Sequence, residues 1–242
     1  IKRAVNGFEL MQTSEQLWLV TLDLFEQLLA DKVIYAEMRF APLQHTSKGL
    51  TAFEVVQTVN KAVEEGIRET GIEARIILCT LRHYSESQSM ETVQLVKQFA
   101  GTYVTGFDIA ADEAGFPLKN HVKAFQFAKE HQIFCTAHAG EAKGPESVWE
   151  TLNYLYPTRI GHGVRSVEDY TLIEFLKQKG IHLEVCPTSN IQTNVFDGIE
   201  NQSVNTIYNS GVSMSINTDA RTTTPVTLTD EYALIEQVFN WS

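Results

Sequence analysis

The stretch IFCTAHAGEAKGPESVWETLNYLYPTRIGHGV, residues 133–164, holds one complete repeat of the pattern that decides the fold. A short apolar run, Ile133 to His138, ends in polar residues, and a longer helical stretch follows. A second short run, Arg159 to Gly163, then ends in the same way. Both runs are nearly continuous in hydrophobicity instead of alternating, the pattern of parallel strands covered on both faces. Outward from this unit the pattern recurs at Val33 to Phe40, Ala74 to Leu81, Tyr103 to Ala110, His182 to Cys186 and Val212 to Asn217.

Helical segments fill the gaps. Thr13 with Gln16, Thr51 with Glu54, and Ser166 with Asp169 read as capping boxes or close variants. Val122, Phe125 and Ala128 make one apolar stripe, and Leu172, Ile173 and Leu176 another, with Gly180 as a stop signal. Repeated βα units build either a barrel or an open doubly wound sheet, and periodicity leaves both open. No low-complexity linker or charge block marks a boundary, so residues 1–242 read as a single domain. The length suits a (β/α)8 barrel of about 250 residues. Seven β-runs are present, the first helical stretch has none before it, and Glu231 to Ser242 ends inside a helical pattern. The expectation is a barrel cut at both ends, without its first strand and C-terminal helices. Open edges of that kind invite pairing with another chain, while the physiological oligomeric state is not legible.

The formal net charge is −11 with no cluster of Lys and Arg, which argues against nucleic acid as a partner. No apolar stretch reaches the ~18 residues of a membrane span. Cys79, Cys135 and Cys186 are far apart, odd in number and outside any CxxC pair. A reducing compartment, the cytoplasm, is therefore expected.

In both candidate folds, functional groups gather where strands end and loops begin. Those positions here read Asp108 to Glu113, Thr136 to Glu141, Gly161-His162-Gly163, Cys186 to Asn190, and Asn217-Thr218-Asp219. One strand-end histidine is most simply a hydrogen-bonded structural residue. His138, His162 and Asp219 at one sheet edge, with Glu141 three residues past His138, are better read as a site. A neutral imidazole and a carboxylate oxygen both suit zinc.

The segments TAHAGE (136–141), RIGHGV (159–164), CPTSN (186–190) and SINTD (215–219) resemble, in order, the signature segments of the adenosine deaminase family. DIAADE (108–113) resembles the family's DLAGDE, and YAEMRFAP (35–42) its second-strand segment. The resemblance implies a (β/α)8 barrel with one zinc ion and a small-molecule purine nucleoside as substrate. It implies His138 and Asp219 as zinc ligands, Glu141 as the acid that protonates the purine ring, and His162 as the base toward the attacking water. Glu141 then has to be protonated when substrate arrives, which a low-dielectric surrounding favours. The implied reaction is hydrolytic deamination of adenosine or 2′-deoxyadenosine. The H-x-E…P-C-x-x-C signature of the deaminases that flip bases out of nucleic acid does not occur.

Three departures stand out. The family's H-x-H, which gives two further ligands, occurs nowhere in this sequence, and two ligands fall below the three a catalytic zinc keeps. We therefore expect no tightly held zinc unless a preceding segment is present. The family's NTDDP reads Asn217-Thr218-Asp219-Ala220-Arg221, so Ala220 replaces a purine-binding carboxylate and Arg221 follows it in the pocket region. This opens a related aminopurine, adenine or an N6-modified adenosine, as an alternative substrate. Ala111 stands where the family has a glycine whose N–H meets the substrate, a change expected to be minor, and Asp108 belongs to the same substrate segment. Glu37 and Arg39, on one side of a strand, read as barrel-lining charges that can pair, Arg82 and His83 as residues at the pocket mouth, and His45, His121, His131 and His182 as solvated or structural. A non-catalytic barrel is the competing class. A Schiff-base lyase is disfavoured because no strand run carries a lysine.

Overall fold

The computed structural model describes residues 7–241. They fall into two compact units, one of residues up to Asp108 with Lys123–Phe134, the other of Ile109–Val122 with the residues from Cys135 onward. All seven strands expected from the sequence are present, with ends that differ from the expected ones by no more than two residues.

The first unit contains α1 (Ser14–Ala30), β1 (Tyr35–Phe40), α2 (Ala52–Thr70), β2 (Glu73–Leu81), α3 (Glu86–Gln98) and most of β3 (Val104–Ala110). β1 and β2 pair in parallel from Tyr35 opposite Glu73 to Phe40 opposite Leu78. β2 is buried along nearly its whole length, as its continuous apolar run requires. The start of α2 is the full capping box: Thr51 accepts from the Glu54 amide, and the Glu54 carboxylate accepts from the Thr51 amide. At α1 the box is partial. Thr13 accepts from the Gln16 amide, but the Gln16 side chain accepts from Gln12 N.

The second unit carries β4 (Phe134–Ala139), α5 (Pro145–Leu155), β5 (Arg159–His162), α6 (Tyr170–Lys179), β6 (His182–Val185), α7 (Pro187–Gln192), α8 (Val204–Ser210), β7 (Met214–Ile216) and α9 (Leu228–Phe239). α4 (Val122–Glu130) precedes β4. β4 pairs with β5, β5 with β6 and β6 with β7, all in parallel. Ile160, Leu183 and Val185 from the strands pack with Val148, Leu172, Leu176, Ile207 and Ile235 from the helices, all fully buried. The expected Ser166–Asp169 cap is corrected. Chain leaving β5 makes a 3-10 turn over Val164–Glu168 that absorbs Ser166, so Asp169 itself caps α6 by accepting from Thr171 N and Leu172 N. Among the described residues, no helix is long and apolar enough to cross a membrane.

In the first unit, α1 meets α2 at a glycine. A Cβ on Gly66 would lie 2.3–2.5 Å from carbons of the buried Phe25 ring. Helix propensity alone favours alanine there by about 1 kcal/mol, whereas overpacking costs about 1–3 kcal/mol. Packing wins, so Gly66→Ala is expected to lower the urea midpoint with an unchanged m-value, read by equilibrium denaturation.

Candidate active site

Parallel strands end at one edge, so the ends of β4 to β7 bring their last residues together. Register sets the finer placement: His138 lies opposite Gly161, and Ala139 opposite His162. A Cβ on Gly161 would stand 3.1 Å from the His138 ring, so the missing side chain gives that imidazole its place. His138 Nδ1 lies 3.0 Å from the Ile109 carbonyl, which makes it the N–H donor and Nε2 the basic nitrogen. The His138 and His162 rings are 5.2 Å apart, and both residues are buried.

Three side chains from one short segment then orient three others. Ser189 Oγ donates to Asp219 Oδ2 at 2.7 Å. Asn190 Oδ1 lies 2.9 Å from His162 Nδ1. Thr193 Oγ1 donates to Glu141 Oε1 at 3.1 Å. Ser189 and Asn190 lie in α7 and Thr193 is its C-cap, so one turn of helix addresses Asp219, His162 and Glu141. With Asn190's oxygen accepting, His162 keeps its proton on Nδ1 and its lone pair on Nε2. That nitrogen is 3.6 Å from Glu141 Oε2, too far for a hydrogen bond but within ion-pair reach when the imidazole is protonated. The His162 side chain is 3% exposed and that of Glu141 20%, so water reaches the acid more readily than the base.

His162 (φ 62°), Asp219 (φ 58°) and Ala111 (φ 79°) all adopt left-handed backbone conformations. Such residues persist only where the surroundings hold them, at about 1–3 kcal/mol each. The alanine at 111 is therefore more than an added methyl group, because it carries a backbone cost that a glycine there avoids.

The zinc implied by the resemblance can be tested against the donors present. One ligand atom each from His162, Cys186 and Asp219 lies within 4.8 Å of the other two. Nitrogen, sulfur and oxygen are all zinc donors, and three is the count a catalytic site keeps, so this group fits such an ion. His138 stands beside it through its contact with the His162 ring. The sequence reading placed Cys186 at a strand end but did not name it as a metal donor. Its place next to a strand end was the signal that marked it as a donor.

Of the remaining expected residues, Ala220 and Arg221 follow Asp219 directly. Ala220 is exposed, and its carbonyl accepts from the Thr223 and Thr224 amides. Asp108 lies in the first unit, fully buried, with Arg39 Nε at 3.3 Å and Cys79 Sγ at 3.5 Å. Arg39 thus ion-pairs with Asp108, a partner the sequence reading, which set Arg39 beside Glu37, did not name. His45, His131 and His182 bond to Met11 O, Phe127 O and the Ser213 and Ser215 hydroxyls, the structural roles expected of them.

A carboxylate, two imidazoles and metal-type donors thus gather at the ends of parallel strands, where an α/β enzyme of barrel type carries its site. The adenosine deaminase family model matches residues 3–242. An adenosine deaminase of Clostridium acetobutylicum is 33% identical over 96% of this chain and 69% of its own length. Across the first curated relatives, the chain spans 62–69% of their length. Among solved structures, an adenine deaminase from Arthrobacter aurescens is 26% identical with a TM-score of 0.89, over 96% of this chain and 70% of that one. The N6-methyl-AMP deaminase of Arabidopsis thaliana is 25% identical with a TM-score of 0.86, over 97% and 71%. The chain belongs to the adenosine deaminase family, and its seven parallel strands with alternating helices are part of a (β/α)8-type fold.

Two outcomes follow. Ala111→Gly is expected to stabilise the protein by about 1 kcal/mol through relief of the left-handed backbone, read as a raised melting temperature. The second concerns Glu231, which is fully buried and accepts from Thr188 N at the start of α7. Burial raises its carboxyl above the ordinary value of 4.5, only partly opposed by the Thr188 hydrogen bonds. The folded state therefore holds this proton more tightly than the unfolded one. Its contribution is complete below the unfolded value and declines as pH rises through the folded one. Glu231→Gln is expected to flatten the fall in stability above pH 4.5, measured by denaturation across pH.

Proposed function

We propose that this protein hydrolyses the exocyclic amine of adenosine or 2′-deoxyadenosine, giving inosine or 2′-deoxyinosine and ammonia. The observation that carries the reading is the arrangement of Glu141, His162 and Asp219, each oriented by a separate residue of the α7 segment.

The roles are those the resemblance implies, and the placement of the side chains supports them. Water adds its oxygen to the purine carbon that bears the amine. His162 Nε2, the basic nitrogen of its tautomer, accepts the proton that the water loses. Glu141 places a proton on the adjacent ring nitrogen, so the electrons displaced by attack come to rest on a neutral ring. His162 then passes its single proton to the amine, which leaves with the bonding electron pair as ammonia, and the added hydroxyl gives its proton to the Glu141 carboxylate as the ring carbonyl forms. Asp219, fixed by Ser189, holds the attacking side of the site. Zinc, when bound, supplies Lewis acidity and brings the pKa of its water to about 7. Asp219 and His138 would hold it, as the resemblance implies, with the Cys186 thiol as a further donor near Asp219, while the His162 Nε2 lone pair is kept for the attacking water. The compartment we propose is the cytoplasm, where cysteines spaced as these are remain thiols.

A second reading changes the substrate and keeps the chemistry. Ala220 cannot hydrogen-bond a ring nitrogen as a carboxylate would, a loss of about 1–3 kcal/mol if that nitrogen stays buried. The solved neighbours include an adenine deaminase and an N6-methyl-AMP deaminase, which supports adenine or an N6-modified adenosine as the alternative.

Ammonia release from adenosine, adenine and N6-methyladenosine, with zinc supplied to protein expressed from the full gene, is the deciding assay. Adenosine is expected to turn over fastest, and faster turnover of either other compound would transfer the assignment. Glu141→Gln is expected to lower kcat by about 10²–10⁴-fold, the usual contribution of a positioned proton donor. An unchanged rate would remove Glu141 from the mechanism.

A further inference from the structure

Glu141 sits on a loop, between β4 and α5, whereas His138 and His162 sit on strands. Loops hold a functional group less closely than strands do, so something has to fix this one. The answer is Glu113, a residue the proposed chemistry does not use. It is 3% exposed, and its carboxylate accepts five hydrogen bonds. Four come from consecutive backbone amides: Gly140 N at 2.7 Å, Glu141 N at 3.1 Å, Ala142 N at 2.7 Å and Lys143 N at 2.9 Å. The fifth is Ser147 Oγ at 2.5 Å, from the first turn of α5. Converging amides of this kind form an anion-binding nest, here filled by the protein's own carboxylate. Gly140, at φ 67°, gives the turn that points the first amide inward, and a Cβ there would meet Val148 at 2.6 Å.

Resting on the deaminase reading above, we infer that Glu113 is the positioning residue for the acid Glu141. It fixes the backbone of residues 140–143 and so holds the Glu141 carboxyl toward His162 and Thr193. The Gly140 amide is buried and the other three are partly so, and a buried N–H has to be paired. Glutamine at 113 would retain one acceptor oxygen and set an NH₂ against the remaining N–H groups. The loop would then have to move. Displacement of a reacting group by about 1 Å costs about 10²-fold in rate.

A kinetic cycle on the zinc-supplied enzyme from the full gene separates positioning from mere stability. Glu113→Gln is expected to lower kcat about 10²-fold with KM within about threefold. In a Glu141→Gln background the same change is expected to cost little more, because both act through one group. Ser147→Ala keeps the carboxylate and loses one of its five donors, so it should fold and show a smaller fall in kcat in the same direction. Amide hydrogen exchange at 140–143 should accelerate in Glu113→Gln while the β5 and β6 amides keep their protection. Equal losses in wild-type and Glu141→Gln backgrounds would overturn the inference and leave the deaminase reading standing, as would wild-type kcat in Ser147→Ala. Absence of aminopurine turnover by the wild-type enzyme would remove both.

Discussion

The chemistry of this protein rests on one turn of helix. α7 and its C-cap send Ser189 to Asp219, Asn190 to His162 and Thr193 to Glu141. None of these three donors or acceptors is on a strand, yet all three strand-end or loop residues depend on them for direction. The turn is itself secured from behind. Gln202 Nε2 donates to the Pro187 carbonyl at 2.7 Å, and the Glu231 carboxyl meets the Thr188 amide. Displacing this segment would disturb acid, base and carboxylate together, and their separate contributions would then not add.

Strands and their polar ends were legible because parallel strands buried on both faces leave continuous apolar runs, whose ends must carry the functional groups. His138, Glu141, His162 and Asp219 were singled out as candidates that way. The division between barrel and open sheet was not, since both folds bury the same runs; the resemblance settled it. The CPTSN segment stood out in the sequence by its place at a strand end and by its resemblance to a family segment. Its Ser189 and Asn190 bond side chains from other strand ends, and partners of that kind depend on tertiary placement that a single sequence does not encode. The 3-10 turn after β5 was missed for a similar reason. Ser166 has the right residue type for a cap, but the left-handed Gly163 turns the chain early and passes the cap to Asp169. Ala111 looked innocuous because its cost lies in φ, which composition does not carry.

Glycines do their work here by absence as well as by backbone freedom. Gly161 leaves space for the His138 imidazole, and Gly163 leaves space for Leu183, whose Cδ2 would lie 2.6 Å from an added Cβ. The histidine between them is thus flanked by a position that makes room for the site and one that makes room for the core. That ties the reactive edge of the sheet to its packing within two residues.

The left-handed backbones of His162 and Asp219 also determine how a silent copy of the site would best be made. Asparagine tolerates that region better than most residues, whereas valine, isoleucine and threonine carry branching that opposes it. Asparagine at either position retains a short polar side chain with both donor and acceptor atoms, so Ser189 or Asn190 still finds a partner. Asparagine replacements are therefore the natural choice for holding an unreacted ligand in place long enough to see it. Alanine scanning, the habitual alternative, would confound a lost functional group with a backbone the new residue resists.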